Sequence, residues 1–178
     1  MLTIQMLSVM DEIWLRNKLD LHLKPYKVLA TGVNKKGEGV GMLEIVLNSD
    51  TINTINVENG GAFNEKTINS YLLQHNKGEH LKKARENFAR SCAGYCVATF
   101  VIGIGDRHSD NIMVTKSGQF FHIDFGHFLG NFKSKFMIKR ERSPFVFTPA
   151  MKFSIDEGQK QSPAYTQFLI WVAEASMF

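Results

Sequence analysis

No part of this 178-residue sequence runs through about 18 uncharged apolar positions, so no segment reads as a bilayer-spanning helix. Any membrane contact is expected to be peripheral. The opening MLTIQMLSVMDEIW has no basic run ahead of its apolar residues and acquires acids early, unlike a secretory leader. Cysteine is scarce. Cys92 and Cys96 are the only two, spaced four apart in an apolar helical pattern, with no second Cys or His pair at ligand spacing. That argues against a zinc site or disulfide framework and for reduced core thiols in a cytosolic protein. No internal repeat or low-complexity tract occurs. Net charge is only +4, so nothing in the composition calls for a nucleic-acid partner, and none is expected.

With 44% apolar and 21% charged residues, the chain has the balance of one folded domain with a core. Residues 2–15 space Leu2, Met6, Val9, Met10, Ile13 and Trp14 as one stripe of an amphipathic helix. Lys27 to Thr31 and Val40 to Leu47 read as strands around the turn VNKKGEG, and residues 50–56 read as a connector. A helix is expected from Asn64, as cap, to Gln74. The clearest helix runs from Leu81 to Val101, with Phe88, Cys92, Tyr95, Cys96, Thr99 and Phe100 on one face, and stops at Gly103 and Gly105. Two strands follow, Asn111 to Thr115 and Phe120 to Ile123, joined by Lys116-Ser117-Gly118. Periodicity then lapses from Gly126 to Pro144 and resumes as helix near Phe168 to Val172.

The chemistry lies at the open ends of that hairpin. GDRHSDNIM spans Gly105 to Met113 and HIDFG spans His122 to Gly126, so both loops project from one end of a small ribbon. Phosphoryl transfer needs hard oxygen ligands for Mg²⁺ and a group that orients or deprotonates the attacking hydroxyl. In protein kinases the catalytic-loop Asp precedes a metal-binding Asn by five positions, a spacing reproduced by Asp106 and Asn111. Asp124 of Asp-Phe-Gly then supplies a carboxylate for metal and phosphates. By spacing alone Asp106 is the base. An imidazole of unperturbed pKa about 6.5 accepts a proton at neutral pH more readily than a solvated Asp of about 3.9, which favours His108. Both stay open.

The histidine follows the aspartate in Asp106-Arg107-His108, the reverse of the protein-kinase order. GDRHxxN followed by HIDFG resembles the phosphoinositide 3- and 4-kinase superfamily. SCAGYCVATFVIGIGDRHSDNIM and FHIDFGHFLGNFKSKF resemble its phosphoinositide 3-kinases, over about Leu2 to Phe153. The resemblance implies an α+β, protein-kinase-like fold. Mainly the helical C-lobe is expected, with hinge strands and the catalytic-loop hairpin. The hinge falls near 41–47, the catalytic loop at 105–113 and the activation loop at 124–144, with 154–178 a poorly matched tail. Asp106, Arg107 and His108 form the catalytic set. Asn111 and Asp124 would hold Mg²⁺ against ATP, and backbone groups of Glu44 and Val46 would meet the adenine edge.

The segment from Phe132 to Arg142 carries five basic residues against one acid. By resemblance to class I activation loops, Lys133, Lys135, Lys139, Arg140 and Arg142 would meet the phosphates of a phosphorylated inositol lipid. A regulatory subunit and a small GTPase are further implied partners, and the cytoplasmic face of the plasma membrane the implied location. Met137 stands where glycine is usual, and Ser143 replaces an apolar residue before Pro144. The phosphate-binding loop and ATP-contacting Lys of an N-terminal lobe are missing, since GVNKKGEG reads as a turn. The expectation is therefore a partial kinase domain with little or no activity by itself. Rival readings are a phosphoinositide 4-kinase or related Ser/Thr protein kinase, and a non-catalytic fragment that binds lipid or a subunit.

Overall fold

A computed structural model describes residues 2–128 and 145–178, together with the backbone of 134–135 and 138–139. The chain runs α1 (Leu2–Arg16), β1 (Val28–Val33), β2 (Gly39–Leu43), β3 (Ser49–Thr51), α2 (Ile52–Glu58), α3 (Thr67–His75), α4 (Glu79–Ile102), β4 (Ile112–Thr115), β5 (Phe120–His122), β6 (Ser134–Lys135), β7 (Ile138–Lys139), α5 (Pro149–Asp156) and α6 (Pro163–Ala175). The mixture of helices with small antiparallel sheets matches the α+β expectation. The sheets are β1-β2, β3-β4-β5 and β6-β7. Among the described residues no helix is long and apolar enough to cross a membrane.

Helix α4 is the axis. Its C-terminus is set by Gly103, which adopts the left-handed conformation (φ 60°) that closes a helix and that glycine takes without a Cβ clash. Phe88, Cys92, Tyr95, Cys96 and Thr99 are buried as the periodicity predicts, but Phe100 is 60% exposed. It lies about 120° round the helix from Phe88, beyond the edge of the stripe. The buried face meets β5: Phe88 and Tyr95 both contact the Phe120 ring edge-on, and Ser91 Oγ accepts the Phe120 N–H at 2.9 Å. The extended segment before β1 crosses α4 at Gly94, where a Cβ would stand 2.4 Å from Leu23 Cδ1.

Several expectations are corrected. In α1 the buried residues are Thr3, Ile4, Leu7 and Trp14, while Leu2 and Val9 are 54% exposed. Trp14 decides this rotation by inserting toward α6, where its Nε1–H donates to the Ala175 carbonyl at 3.0 Å. Residues 50–56 are no connector. Ser49–Thr51 pair with β4 as a third strand, and Thr51 then caps α2, its hydroxyl accepting the Thr54 N–H at 3.1 Å. Asn64 caps a turn and α3 begins only at Thr67, because the Asn64 amide is directed back to the Asn59 carbonyl. β2 ends at Leu43, leaving 44–47 unpaired with β1. The unanticipated helix α5 starts on Thr148, whose hydroxyl accepts the Met151 N–H at 3.3 Å, with Pro149 at its first position.

Candidate active site

The catalytic loop leaves α4 through Gly103 and enters β4, and the Asp-Phe-Gly loop leaves β5. Since β4 and β5 pair with Ile112 opposite His122, the two loops are held side by side at one end of the ribbon. The Ile123 N–H donates to the Asn111 carbonyl at 3.0 Å and extends the ladder to the base of both.

Arg107 joins them. The residue is only 9% exposed. Its Nε donates to the Gly105 carbonyl at 2.8 Å, Nη1 to Ile123 at 2.7 Å and Nη2 to Asp124 at 2.5 Å. The planar guanidinium suits several carbonyls at once, and it also lies over the Phe125 ring at 5.5 Å. Grouped with the catalytic residues in the sequence, Arg107 is placed as a brace whose cation faces the loop interior. Behind it His122 is buried between Tyr95 and Phe120, with Nδ1 3.5 Å from Nη1. Burial first, and the Arg107 charge second, hold this imidazole well below the usual histidine range, so it is neutral.

Asp106 and Asp124 both adopt positive φ, 58° and 54°, a conformation uncommon outside glycine that turns each loop sharply. The Asn111 amide donates to the Asp106 carbonyl at 2.9 Å and contacts His108 Nε2 at 3.1 Å. With Nδ2 so engaged, Asn111 Oδ1 is the atom left for a cation. The Asp110 N–H also approaches His108 Nδ1, at 3.3 Å, so a donor faces each ring nitrogen. The His108 side chain is 46% exposed, whereas Asp106 is buried. Among the described residues no group of three or more His, Cys, Asp or Glu side chains is placed to hold a metal. One amide oxygen and one carboxylate fit Mg²⁺ well, because it completes its octahedron with phosphate oxygens and water.

Beside Asp124 opens a cleft of about 410 Å³, lined by Leu43, Glu44, Ile45 and Val46 on one side and Met113 and Ile123 on the other. Glu44 donates its N–H to the Lys27 carbonyl at 2.8 Å, and its carboxylate accepts the Lys27 N–H at 2.9 Å. Neither contact uses the Glu44 carbonyl. Sequence reasoning missed Tyr26, whose ring stacks on Phe125 and which lines the cleft together with Asp124. Burial, the larger cause, raises its pKa. No local pattern signals a contact so distant along the chain. Lys133, Arg140 and Arg142 lie outside the described residues. Lys135 and Lys139 are described in their backbone alone, on the paired strands β6 and β7.

Residues 1–173 match the family model for phosphatidylinositol 3- and 4-kinases. The match runs through α5 and most of α6, past Phe153. The chain is 51% identical to phosphatidylinositol 3-kinase 1 of Dictyostelium discoideum, over 98% of its own length and 11% of that protein. It is 52% identical to phosphatidylinositol 3-kinase 2 of that organism, over 94% of the chain and 9% of the relative, and 48% identical to phosphatidylinositol 3-kinase 3. The chain thus spans about a tenth of the length of these relatives.

Proposed function

The chain belongs to the phosphatidylinositol 3- and 4-kinase family, and from that premise we propose that it supplies the catalytic-loop half of a site that phosphorylates the inositol 3-hydroxyl of phosphatidylinositol phosphates with ATP. One observation carries the reading. Arg107 donates to the carbonyls of Asn111, at 3.4 Å, Ile123 and Asp124 and so ties the two loops together, with His108 exposed and an apolar cleft opening beside Asp124.

On this reading the adenine enters the cleft against the backbone of Glu44 and Val46. Asn111 Oδ1 and the Asp124 carboxylate hold Mg²⁺, whose charge offsets that of the β- and γ-phosphates. The His108 imidazole takes the hydroxyl proton as the inositol oxygen bonds the γ-phosphorus and the bond to the ADP oxygen breaks. Its exposure supports it over Asp106 as base. The basic segment Lys133 to Arg142 favours a phosphorylated headgroup, the class I pattern. The same reading puts the working protein at the cytoplasmic face of the plasma membrane, with a regulatory subunit and small GTPase as partners.

The test is a chimera in which this chain replaces the equivalent segment of phosphatidylinositol 3-kinase 1 of D. discoideum. Labelled phosphate should appear at the 3-position, and Asp124→Ala should abolish it. The 178-residue chain assayed by itself should transfer little or none. Phosphate at the 4-position, or transfer that survives Asp124→Ala, would overturn the proposal.

A further inference from the structure

We infer that Asn59, at the end of α2, is a site of spontaneous deamidation whose products loosen the support of the catalytic loop. Naming that loop catalytic rests on the reading above, while the chemistry at Asn59 does not.

The chain holds twelve asparagines, and Asn59-Gly60 is its only Asn-Gly pair. The pairing matters because deamidation begins when the backbone nitrogen of the following residue, having lost its proton, attacks the asparagine Cγ. A Cβ on that residue obstructs the approach, and glycine has none. The new N–Cγ bond closes a five-membered imide as the Cγ–Nδ2 bond breaks, and Nδ2 leaves as ammonia. Water then opens the ring at either carbonyl. One opening gives aspartate, and the other gives isoaspartate, with the main chain rerouted through the former side chain. Neither an oxidant nor an enzyme is required.

The attacking nitrogen is accessible. Among the described residues nothing accepts the Gly60 N–H, and Gly60 is exposed, so hydroxide can reach its proton. The Asn59 side chain is held instead: Nδ2 donates to the Ile55 carbonyl at 2.9 Å, and Gln74 Nε2 donates to Oδ1 at 3.0 Å. The Asn59 backbone, at ψ 26°, must also turn to bring the Gly60 nitrogen onto Cγ. Reaction therefore waits on a local opening of the turn. That opening is small, because α2 is only seven residues long and ends here, and Gly60 and Gly61 have no side chains to repack. Two bonds close the turn, from the Gly61 N–H to the Asn56 carbonyl and from the Asn64 amide to the Asn59 carbonyl, both at 2.7 Å.

Conversion alters what α2 can hold. A carboxylate at position 59 has no N–H for the Ile55 carbonyl, and it adds a negative charge directly after Glu58. The other end of α2 supports the catalytic loop, where the Asn53 N–H donates to the Ser109 carbonyl at 3.0 Å. Ala62 and Asn64 of the turn line a cavity of about 420 Å³ together with Arg107 and Ser109. Slackening of this short helix thus reaches the loop between Asp106 and Asn111.

The experiment incubates the 178-residue chain, folded as judged by circular dichroism, at neutral and at mildly alkaline pH, and reads its digests by mass spectrometry. The peptide carrying Asn59 should gain one mass unit ahead of those carrying the other asparagines, and faster at the higher pH. It should also become a methyl acceptor for an isoaspartyl methyltransferase. Asn59→Gln should abolish methyl acceptance, and Gly60→Ala should remove most of it. In the converted chain, and in Asn59→Asp, amide hydrogen exchange at Asn53 should be faster than in the fresh parent. Conversion at Asn59 no faster than elsewhere, methyl acceptance undiminished by either substitution, or Asn53 exchange unaltered after conversion would overturn the inference. None of these readouts involves phosphoryl transfer, so failure of the kinase reading shows separately, in the product of the chimera.

Discussion

Replacing Gly118 with alanine should destabilise the chain by about 2–5 kcal/mol. Gly118 has φ 92°, and a Cβ there would lie 1.9 Å from the Ala84 carbonyl oxygen, 2.6 Å from its carbon and 2.9 Å from Cα. The obstacle is helix backbone, which cannot swing aside as a side chain can. A non-glycine residue in left-handed backbone costs about 1–2 kcal/mol, and forced overpacking adds about 1–3 kcal/mol. Nor is the turn free to lift away, because Asn87 donates to the Ser117 carbonyl at 2.9 Å and Asn76 to Lys116 at 2.7 Å. Urea unfolding followed by circular dichroism measures the loss. Gly37→Ala separates the two contributions, since Gly37 has φ 80° with nothing within 4 Å of its Cβ position. It should lose only the backbone part, about 1–2 kcal/mol. If Gly118→Ala costs no more than Gly37→Ala, the packing of the turn on α4 is not what fixes the hairpin. In the chimera Gly118→Ala should also lower transfer, because the hairpin carries both loops proposed to hold Mg²⁺.

Arg107→Lys exchanges a planar fork for one ammonium that cannot serve carbonyls in three directions. It should cost about 2–3 kcal/mol in urea and, in the chimera, lower kcat more than it raises KM for ATP. Asp11 has its carboxyl pKa raised, by burial first and by the Asp20 charge second, with His22 opposing. A raised acid pKa means that the folded chain binds more protons than the unfolded one, so this group's contribution declines as pH rises through and above 3.8. Asp11→Asn should accordingly be more stable than the parent at neutral pH, and the difference should vanish below that value; an unchanged unfolding midpoint at pH 7 would refute it.

The two motif loops, the hairpin and the long helix were legible in sequence because each is written locally, as a spacing, a turn or a period. The hinge reading rests on resemblance, and β2 ends sooner than the apolar run suggested: Glu44 to Val46 look like strand but line a cleft. What was hidden is non-local. Tyr26 meets Phe125 and Trp14 meets Ala175 across most of the chain, and the short strand β3 exists because β4 offers it an edge. The rotation of α1 followed from Trp14, which no helical period singles out. Arg107 was grouped with the catalytic residues from its neighbours in the motif, and its contacts with Gly105, Ile123 and Asp124 were hidden because a sequence does not show which way a guanidinium turns.

The Arg107 contacts at Gly105, Ile123 and Asp124 are all with main-chain carbonyls, a group every residue carries whatever its side chain. Substitution of Asp124 would therefore remove the carboxylate proposed to hold Mg²⁺ without removing the partner that Arg107 recognises. Descendants that lost activity at this position would inherit the loops in their old arrangement. Shape is conserved by one set of atoms and catalysis by another, and mutation can discard the second while leaving the first to be recruited for a different purpose.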